Sequence, residues 1–138
     1  MASHEISIEP DISAIPPFLE WIEDRCREDG LGDDLVFKMA LVLEEAVTNV
    51  INYAFSDLPP PHVIRVRLDV GIERIAAEIT DNGRPFDPLA SPDPDLSRPL
   101  AERNPGGLGI LLMRRMTDRI EYRRSEGGNR LRLEKTRS

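Results

Sequence analysis

The stretch LVLEEAVTNVINYAF, residues 41–55, decides how the remainder of the chain folds around it. Most of its side chains are apolar, which predicts a helix that is buried over most of its surface. Glu45 and Asn49 nevertheless stand one helical turn apart, and Asn52 follows close to the same side. These polar groups either form a thin solvated edge or line a polar cavity, and the spacing leaves both interpretations open.

Apolar periodicity on either side of this segment predicts the other elements. The long helix is expected to begin at Asp33 or Asp34 and to run to about Phe55. An earlier helix is expected to be capped by Ser13, with two prolines in its first turn. A third helix follows a group of glycines near residue 107. Alternating apolar residues predict strands near residues 4–10, 62–70, 73–81, 119–124 and 129–135.

The order of these elements predicts the fold class. Hairpins dominate the order, and a turn of Gly127, Gly128 and Asn129 is expected to join the last two strands. A sheet built mainly of hairpins carries its helices on one face. We therefore expect a single α+β domain over residues 1–138, a two-layer α/β sandwich with a mixed, mostly antiparallel sheet.

Composition and charge exclude several classes of function. The net charge of −7 argues against general binding to nucleic acid or to a membrane surface. Residues 111–138 alone carry nine basic and four acidic side chains, which indicates either an arginine-rich outer sheet face or a docking surface for an acidic partner or anionic ligand. The single cysteine, Cys26, excludes an intrachain disulfide and fits the reducing cytoplasm. No apolar run approaches the roughly 18 residues of a membrane span.

Asp81 is the first candidate for a ligand-binding side chain outside the long helix. It ends the strand predicted at 73–81 and shares the parity of the inward residues Ile75 and Ile79. A carboxylate aimed at the interior costs several kcal/mol unless it has a partner. The alternative is that the strand has already ended and that Asp81 merely begins a turn containing Gly83.

Glycines before the third helix provide a second candidate. Gly106, Gly107 and Gly109 run directly into an apolar helix. Glycines let a backbone approach phosphates closely, and the start of a helix presents free N–H groups. Glycine before a helix is common, so this feature predicts phosphate binding only weakly by itself.

The combination of these motifs is more specific than any one of them. Glu-x-x-x-Asn on a helix, Asp-x-Gly after a hairpin and Gly-Gly-x-Gly before a helix, in that order, resemble the GHKL ATP-binding family, which has the Bergerat fold. The segments EEAVTNVINYAF, TDNGRPFDP and GGLGILLMRRMTD are most similar to small anti-sigma factor serine/threonine kinases of bacterial partner-switching systems. The resemblance covers essentially the whole chain and implies ATP and Mg²⁺ as cofactors.

The resemblance also assigns roles to individual residues. Asn49 matches the asparagine that coordinates Mg²⁺, and Glu45 matches the general base that activates the acceptor hydroxyl. Asp81 matches the aspartate that accepts a hydrogen bond from the adenine amino group. Gly83 matches the glycine that leaves room beside the base.

The remaining contacts implied by the resemblance surround the phosphates and the base. The segment at about 87–106 corresponds to a mobile ATP lid. Arg98 or Arg103 could reach the terminal phosphates from it; no motif decides between them, and Arg103 is our candidate. The other nucleotide-binding candidates are Asn52, Phe86, Gly106, Gly107, Leu108 and Gly109.

The function implied by the resemblance is that of a cytoplasmic, ATP-dependent serine/threonine protein kinase acting as an anti-sigma factor. It would bind a sigma factor, phosphorylate a STAS-domain anti-anti-sigma protein and form a homodimer, without direct contact to nucleic acid or membrane. The alternative is a non-catalytic ATP-binding module that switches partners in another signalling pathway. The ATPase half of a histidine kinase would need a phosphoacceptor histidine on a dimerisation helix, whereas His4 and His62 are predicted at a strand start and in a proline-rich turn.

Overall fold

The computed structural model describes residues 2–90 and 107–137. These residues contain five strands, three α-helices and two short 3₁₀ helices, at Ile12–Ala14 and Pro88–Ala90. The strands are β1 (Ala2–Ile8), β2 (Ile64–Val70), β3 (Arg74–Asp81), β4 (Arg119–Ser125) and β5 (Gly128–Thr136). The α-helices are α1 (Ile15–Glu28), α2 (Asp33–Tyr53) and α3 (Gly107–Met116).

The described strands form one sheet in the order β1-β2-β3-β5-β4. Every neighbouring pair is antiparallel. The predicted α+β two-layer fold is therefore confirmed, although the described part of the sheet contains no parallel pair and is not mixed. The central strand β3 pairs with β5, so the end of β3 at Asp81 lies directly opposite Asn129.

One hydrophobic core lies between the sheet and the helices. The inward side chains of β2 alternate with exposed or half-buried ones, as a sheet covered on one face requires. Burying each large apolar side chain contributes about 1.5–3 kcal/mol, which fixes α2 firmly against the sheet. The largest fully buried side chains are Phe18, Ile22, Met39, Leu43, Ile64, Leu68, Ile75, Ile79, Met113, Leu133, Val42 and Val47.

The start of α1 differs from the sequence prediction. Ser13 does not cap the helix; Ala14 occupies the N-cap position and makes no side-chain capping bond. Ser13 instead donates its backbone N–H to Asp11 Oδ1 at 3.2 Å, within the preceding 3₁₀ turn. Because Pro16 and Pro17, at the second and third helical positions, have no N–H, they remove the two donors to which a capping side chain would bind.

The long helix α2 is close to its predicted bounds. It begins at Asp33, as expected, and ends at Tyr53, two residues before the predicted end. Asp33 and Asp34 lie in its first turn, where negative charge interacts favourably with the helix dipole. The helix therefore carries residues 45–52 as one rigid element.

The outer face of the sheet explains the basic composition of residues 111–138. Arg130 and Arg132 lie on this face, and both approach Glu78 of the neighbouring strand, at 3.4 Å and 3.8 Å. Arg132 also lies 3.3 Å from Glu134. Glu78 on the adjacent strand and Glu134 on the same strand offset these charges, which favours the interpretation as an arginine-rich outer face. Among the helices that the structure describes, none is long and apolar enough to cross a membrane.

Candidate functional site

Asp81 belongs to β3 and points into the protein. The strand extends through this residue, and its side chain is only 7% exposed. The interpretation in which Asp81 merely begins a turn is therefore wrong. Its Oδ1 accepts hydrogen bonds from the Gly83 N–H at 2.8 Å and from Asn129 Nδ2 at 2.9 Å.

The second carboxylate oxygen of Asp81 is available to a ligand. Oδ2 accepts no hydrogen bond from residues 2–90 or 107–137. Burial raises the pKa of the Asp81 carboxyl, and the bonds from Asn129 and Gly83 and the charge of Arg124 offset part of that rise. A buried acceptor of this kind is stabilised by a ligand that donates a hydrogen bond to it.

A small cavity brings Asp81 together with Asn49 of α2. Phe86, on the connection that follows β3, lines the same cavity and stacks against Tyr53 with ring centroids 5.4 Å apart. The cavity volume of about 20 Å³ is that of a single water molecule. The described residues thus form the inner wall of a site and not a complete nucleotide pocket. The full lining is Ala46, Asn49, Val50, Ile79, Asp81, Phe86, Pro88, Tyr122, Asn129 and Leu131.

Asn49 carries a buried polar atom without a partner. The side chain is 6% exposed, and its Nδ2 makes no hydrogen bond within the described residues. Such an atom is costly in a protein interior unless a ligand satisfies it. The oxygen of the same amide is a hard ligand suited to Mg²⁺, which keeps most of its waters and binds one or two protein groups together with phosphates. The residues present therefore fit a metal held mainly by a nucleotide, and the described chain contains no His/Cys/Asp/Glu cluster that would hold one alone.

Glu45 lies one turn before Asn49 and contacts the start of α3. A Cβ built on Gly109 would lie 2.1 Å from Glu45 Oε2, so the carboxylate occupies the space that a side chain at Gly109 would need. Burial raises the pKa of Glu45, and repulsion from the neighbouring Glu44 adds to the rise. A half-buried carboxylate with a raised pKa is a stronger proton acceptor than an exposed glutamate.

The polar side chains on the Asn49 side of α2, with Lys38 included nearer the start of the helix, divide into two groups. Asn49 is buried and lines the cavity, whereas Asn52 is exposed and is absent from the cavity lining. Lys38, nearer the start of the helix, pairs with Asp34 at 2.9 Å. The cavity interpretation therefore holds for Asn49, and the solvated-edge interpretation describes Asn52 and Lys38.

Gly83 is held against the end of α2. A Cβ at this position would lie 2.4 Å from the backbone oxygen of Ala54, which no side-chain movement can relieve. The next residue, Arg84, donates its backbone N–H to the same oxygen at 2.9 Å. The glycine is thus required by helix–turn packing, and this contact ties the turn after Asp81 to the helix that carries Asn49.

The remaining predicted site residues either belong to the start of α3 or lie outside the described residues. Gly107 and Leu108 form the beginning of α3. Gly106, Arg98 and Arg103 lie outside the described residues, as does most of the segment at 87–106 that was predicted to form a lid.

Asn129 is a site residue that the sequence prediction missed. It was predicted at the junction of the turn and the strand at 129–135 and given no role, but it is buried within β5 and hydrogen-bonds to Asp81. Tyr122 and Arg124 of β4 contact the Asn129 side chain in turn. The signal was parity: Asn129 stands two and four residues before the inward Leu131 and Leu133.

The fold and this site define an ATPase domain of the histidine kinase type. A helix carrying Glu45 and Asn49, an inward Asp81 and a helix that starts at glycines surround one region beside an antiparallel sheet. The family model described as "Histidine kinase-like ATPase domain" matches residues 8–135. The chain belongs to this family, which confirms the resemblance to GHKL proteins.

One protein sequence and two solved structures are similar to this chain. The serine/threonine-protein kinase BtrW of Bordetella bronchiseptica is 33% identical over 117 residues, which cover 83% of this chain and 80% of that protein. The structure of the RsbU and RsbW domains of Rv1364c from Mycobacterium tuberculosis superposes with a TM-score of 0.69 at 13% identity, covering all of this chain and 34% of that one. The histidine kinase domain of the Erythrobacter litoralis EL346 blue-light activated histidine kinase superposes with a TM-score of 0.57 at 17% identity, covering 91% of this chain and 60% of that one. The two structural likenesses concern the fold alone.

Proposed function

We propose that this chain is an ATP-dependent serine/threonine protein kinase that acts as an anti-sigma factor. It binds a sigma factor and phosphorylates a STAS-domain anti-anti-sigma protein, which prevents that protein from displacing the sigma factor. The 33% identity to a serine/threonine-protein kinase supports the catalytic part of the proposal. The family resemblance is the basis for the other parts of the proposal, which are the sigma factor, the STAS-domain protein, a homodimeric state and a cytoplasmic location.

One observation carries the proposal. Two buried polar groups with unused hydrogen-bonding capacity, Asn49 and Asp81 Oδ2, line or adjoin one cavity between α2 and β3. Protein interiors rarely leave two such groups together without a ligand. A purine amino group would donate to Asp81 Oδ2. At Asn49, Nδ2 would donate to a phosphate oxygen, and the amide oxygen would hold a phosphate-bound cation.

Phosphoryl transfer asks mainly for positioning and charge neutralisation. Mg²⁺ would supply neutralisation of the phosphate charges when bound with ATP. Glu45, one turn from Asn49, would orient the acceptor hydroxyl and take its proton. The rigid packing of α2 holds these two side chains at a fixed separation, which is what an in-line transfer requires.

The two histidines do not support the alternative of a histidine kinase half. His4 lies in β1 and pairs with Asp29 at 2.7 Å. His62 lies in the connection before β2, bonds to the Leu58 carbonyl and stacks on Phe55. Neither histidine lies on a helix that could present it to a phosphate.

The test is a transfer assay with purified components. The chain is incubated with Mg²⁺, ATP labelled at the γ-phosphate and a STAS-domain protein from the same organism. We expect label on a serine or threonine of the STAS protein, and none when Glu45→Gln replaces the wild type. A parallel pull-down with ATP should recover a sigma factor, and phosphorylated STAS protein should fail to displace it.

The same assay separates the kinase from a non-catalytic module. A non-catalytic module would bind ATP, and its ATP affinity would depend on Asp81, but the STAS protein would stay unlabelled. Absence of ATP binding altogether would refute both. Equal labelling by Glu45→Gln and by the wild type would support kinase activity and would show that Glu45 is not the general base.

A further inference from the structure

Asn129 is the most extensively bonded side chain near the site. It is 6% exposed and lies opposite Asp81 in the pairing of β3 with β5. Its Nδ2 donates one hydrogen bond to Asp81 Oδ1 at 2.9 Å and one to the Arg84 carbonyl at 2.7 Å. The amide therefore holds both the carboxylate and the turn that follows it.

The oxygen of the same amide is held from three directions. Asn129 Oδ1 accepts from the Phe86 N–H and from Arg124 Nη1, each at 3.3 Å, and from the Tyr122 hydroxyl. Arg124 Nη1 also donates to the Gly83 carbonyl at 2.7 Å. These bonds define which end of the amide faces Asp81, because only the NH₂ end can donate to the carboxylate.

The consequence is that Asn129 has no group left for a ligand. An amide offers two N–H donors and two acceptor lone pairs, and both kinds are fully used within the protein. Asp81 Oδ1 is likewise occupied by Asn129 and Gly83, so only Oδ2 is available.

We propose that Asn129 is a positioning residue that orients Asp81 for recognition of a 6-amino purine. The inference rests on the proposed function, because it requires that the site binds ATP. Asn129 fixes the rotation of the carboxylate without touching the base. Discrimination between purine bases then depends on Asn129, which does not contact the purine, as well as on Asp81, which does.

A test must separate this role from simple support of the fold. Asn129→Asp keeps the size of the side chain, removes the donors to Asp81 and places a second carboxylate against the first. Two ligands are compared as Mg²⁺ complexes: ATP and purine riboside triphosphate, which lacks only the 6-amino group. Thermal unfolding reports stability independently of the two dissociation constants.

For the wild type we expect ATP to bind at least about tenfold more tightly than the analogue, the effect of one good buried hydrogen bond. In Asn129→Asp the ratio should fall below about threefold, while the affinity for the analogue changes little. A side chain that only supports the fold would lower both affinities together and leave the ratio unchanged. Asn82→Asp is a matched control, because Asn82 is exposed and bonds to Pro61 and Val63, not to Asp81.

A second variant keeps the inference testable if Asn129→Asp does not fold. Tyr122→Phe removes one hydroxyl donor to Asn129 Oδ1 and should lower the ratio by about threefold. An unchanged ratio in the folded Asn129→Asp protein, or in Tyr122→Phe where that protein does not fold, would overturn the role of Asn129 alone. A wild type that binds ATP and the analogue equally would overturn base recognition by Asp81 and this inference with it.

Discussion

Because Gly109 lies against Glu45, a substitution at Gly109 can move the carboxylate of Glu45, the proposed general base, without changing that residue. In Gly109→Ala the new methyl group would lie 2.1 Å from Glu45 Oε2 and 2.8 Å from its Cδ. The obstacle is the far end of a flexible side chain and not backbone, so the carboxylate can rotate away. We therefore expect the variant to fold with its chemistry impaired.

The size of the effect follows from the distances. Ordinary contact with a Cβ begins at 3.4 Å, so Oε2 must move by at least about 1.3 Å from its 2.1 Å position. A misplacement of about 1 Å at a reacting centre costs on the order of 100-fold in rate. Stability should change by less than about 1 kcal/mol, because the gain from replacing a helical glycine by alanine offsets the cost of an altered rotamer.

The assay is single-turnover transfer of the γ-phosphate to the STAS-domain protein, with ATP affinity measured separately by calorimetry. We expect a loss of roughly 100-fold in the transfer rate with an ATP dissociation constant close to that of the wild type. Gly127→Ala is the matched control, because a Cβ at Gly127 would meet no atom of residues 2–90 or 107–137 within 4 Å. That variant should transfer phosphate at the wild-type rate.

Two results would refute this reasoning. A wild-type transfer rate in Gly109→Ala would show that the position of the Glu45 carboxylate does not limit the reaction. Equal losses of ATP affinity and transfer would show that Gly109 acts on the nucleotide and not on Glu45. The double variant with Glu45→Gln provides a further check, since it should lose nothing beyond the single Glu45→Gln change.

The remaining predictions concern four residues: Glu45, Asp81, Gly83 and Cys26. Glu45→Gln should retain ATP binding and lower the rate of phosphate transfer by at least about 100-fold. Because burial raises the pKa of Glu45, the wild-type transfer rate should begin to fall on acidification at a higher pH than an exposed glutamate would give. Asp81→Asn should weaken ATP binding by more than about tenfold, or about 1.4 kcal/mol, in calorimetry. Gly83→Ala should lower the melting temperature as well as ATP affinity, because its methyl group would meet the Ala54 backbone at 2.4 Å; an unchanged melting temperature would contradict the packing. Burial raises the pKa of the Cys26 thiol to about 11, so iodoacetamide should alkylate it at least about 100-fold more slowly in the native protein than in urea, as followed by mass spectrometry.

The parts of the site that lie within one element could be predicted from the sequence. The parity of a strand is a local property, so Ile75 and Ile79 indicated an inward direction for Asp81, and the structure excludes the alternative in which Asp81 begins a turn. The separation of Glu45 and Asn49 by one turn followed in the same way from the helical period. These predictions needed no knowledge of which strands pair.

The parts that depend on tertiary arrangement could not be predicted. Asn129 is 48 residues from Asp81 in sequence, and only the pairing of two non-consecutive strands places them together. Asn52 lies close to Asn49 in helical angle, but it falls beyond the point where α2 faces the cavity. Ser13 was misassigned because the prolines that mark the start of α1 also remove the donors that a capping residue would bind.

The backbone contact between Gly83 and Ala54 has a practical use as a place for a reporter. Ser56, two residues beyond Ala54, is exposed, and its carbonyl accepts a hydrogen bond from the Arg84 side chain of the same turn. A fluorophore attached through Ser56→Cys would sit beside the turn that follows Asp81, where its emission should change as the base arrives. Labelling would be selective, since the only native thiol, Cys26, is fully buried. Nucleotide occupancy could then be followed in real time without modifying the nucleotide itself.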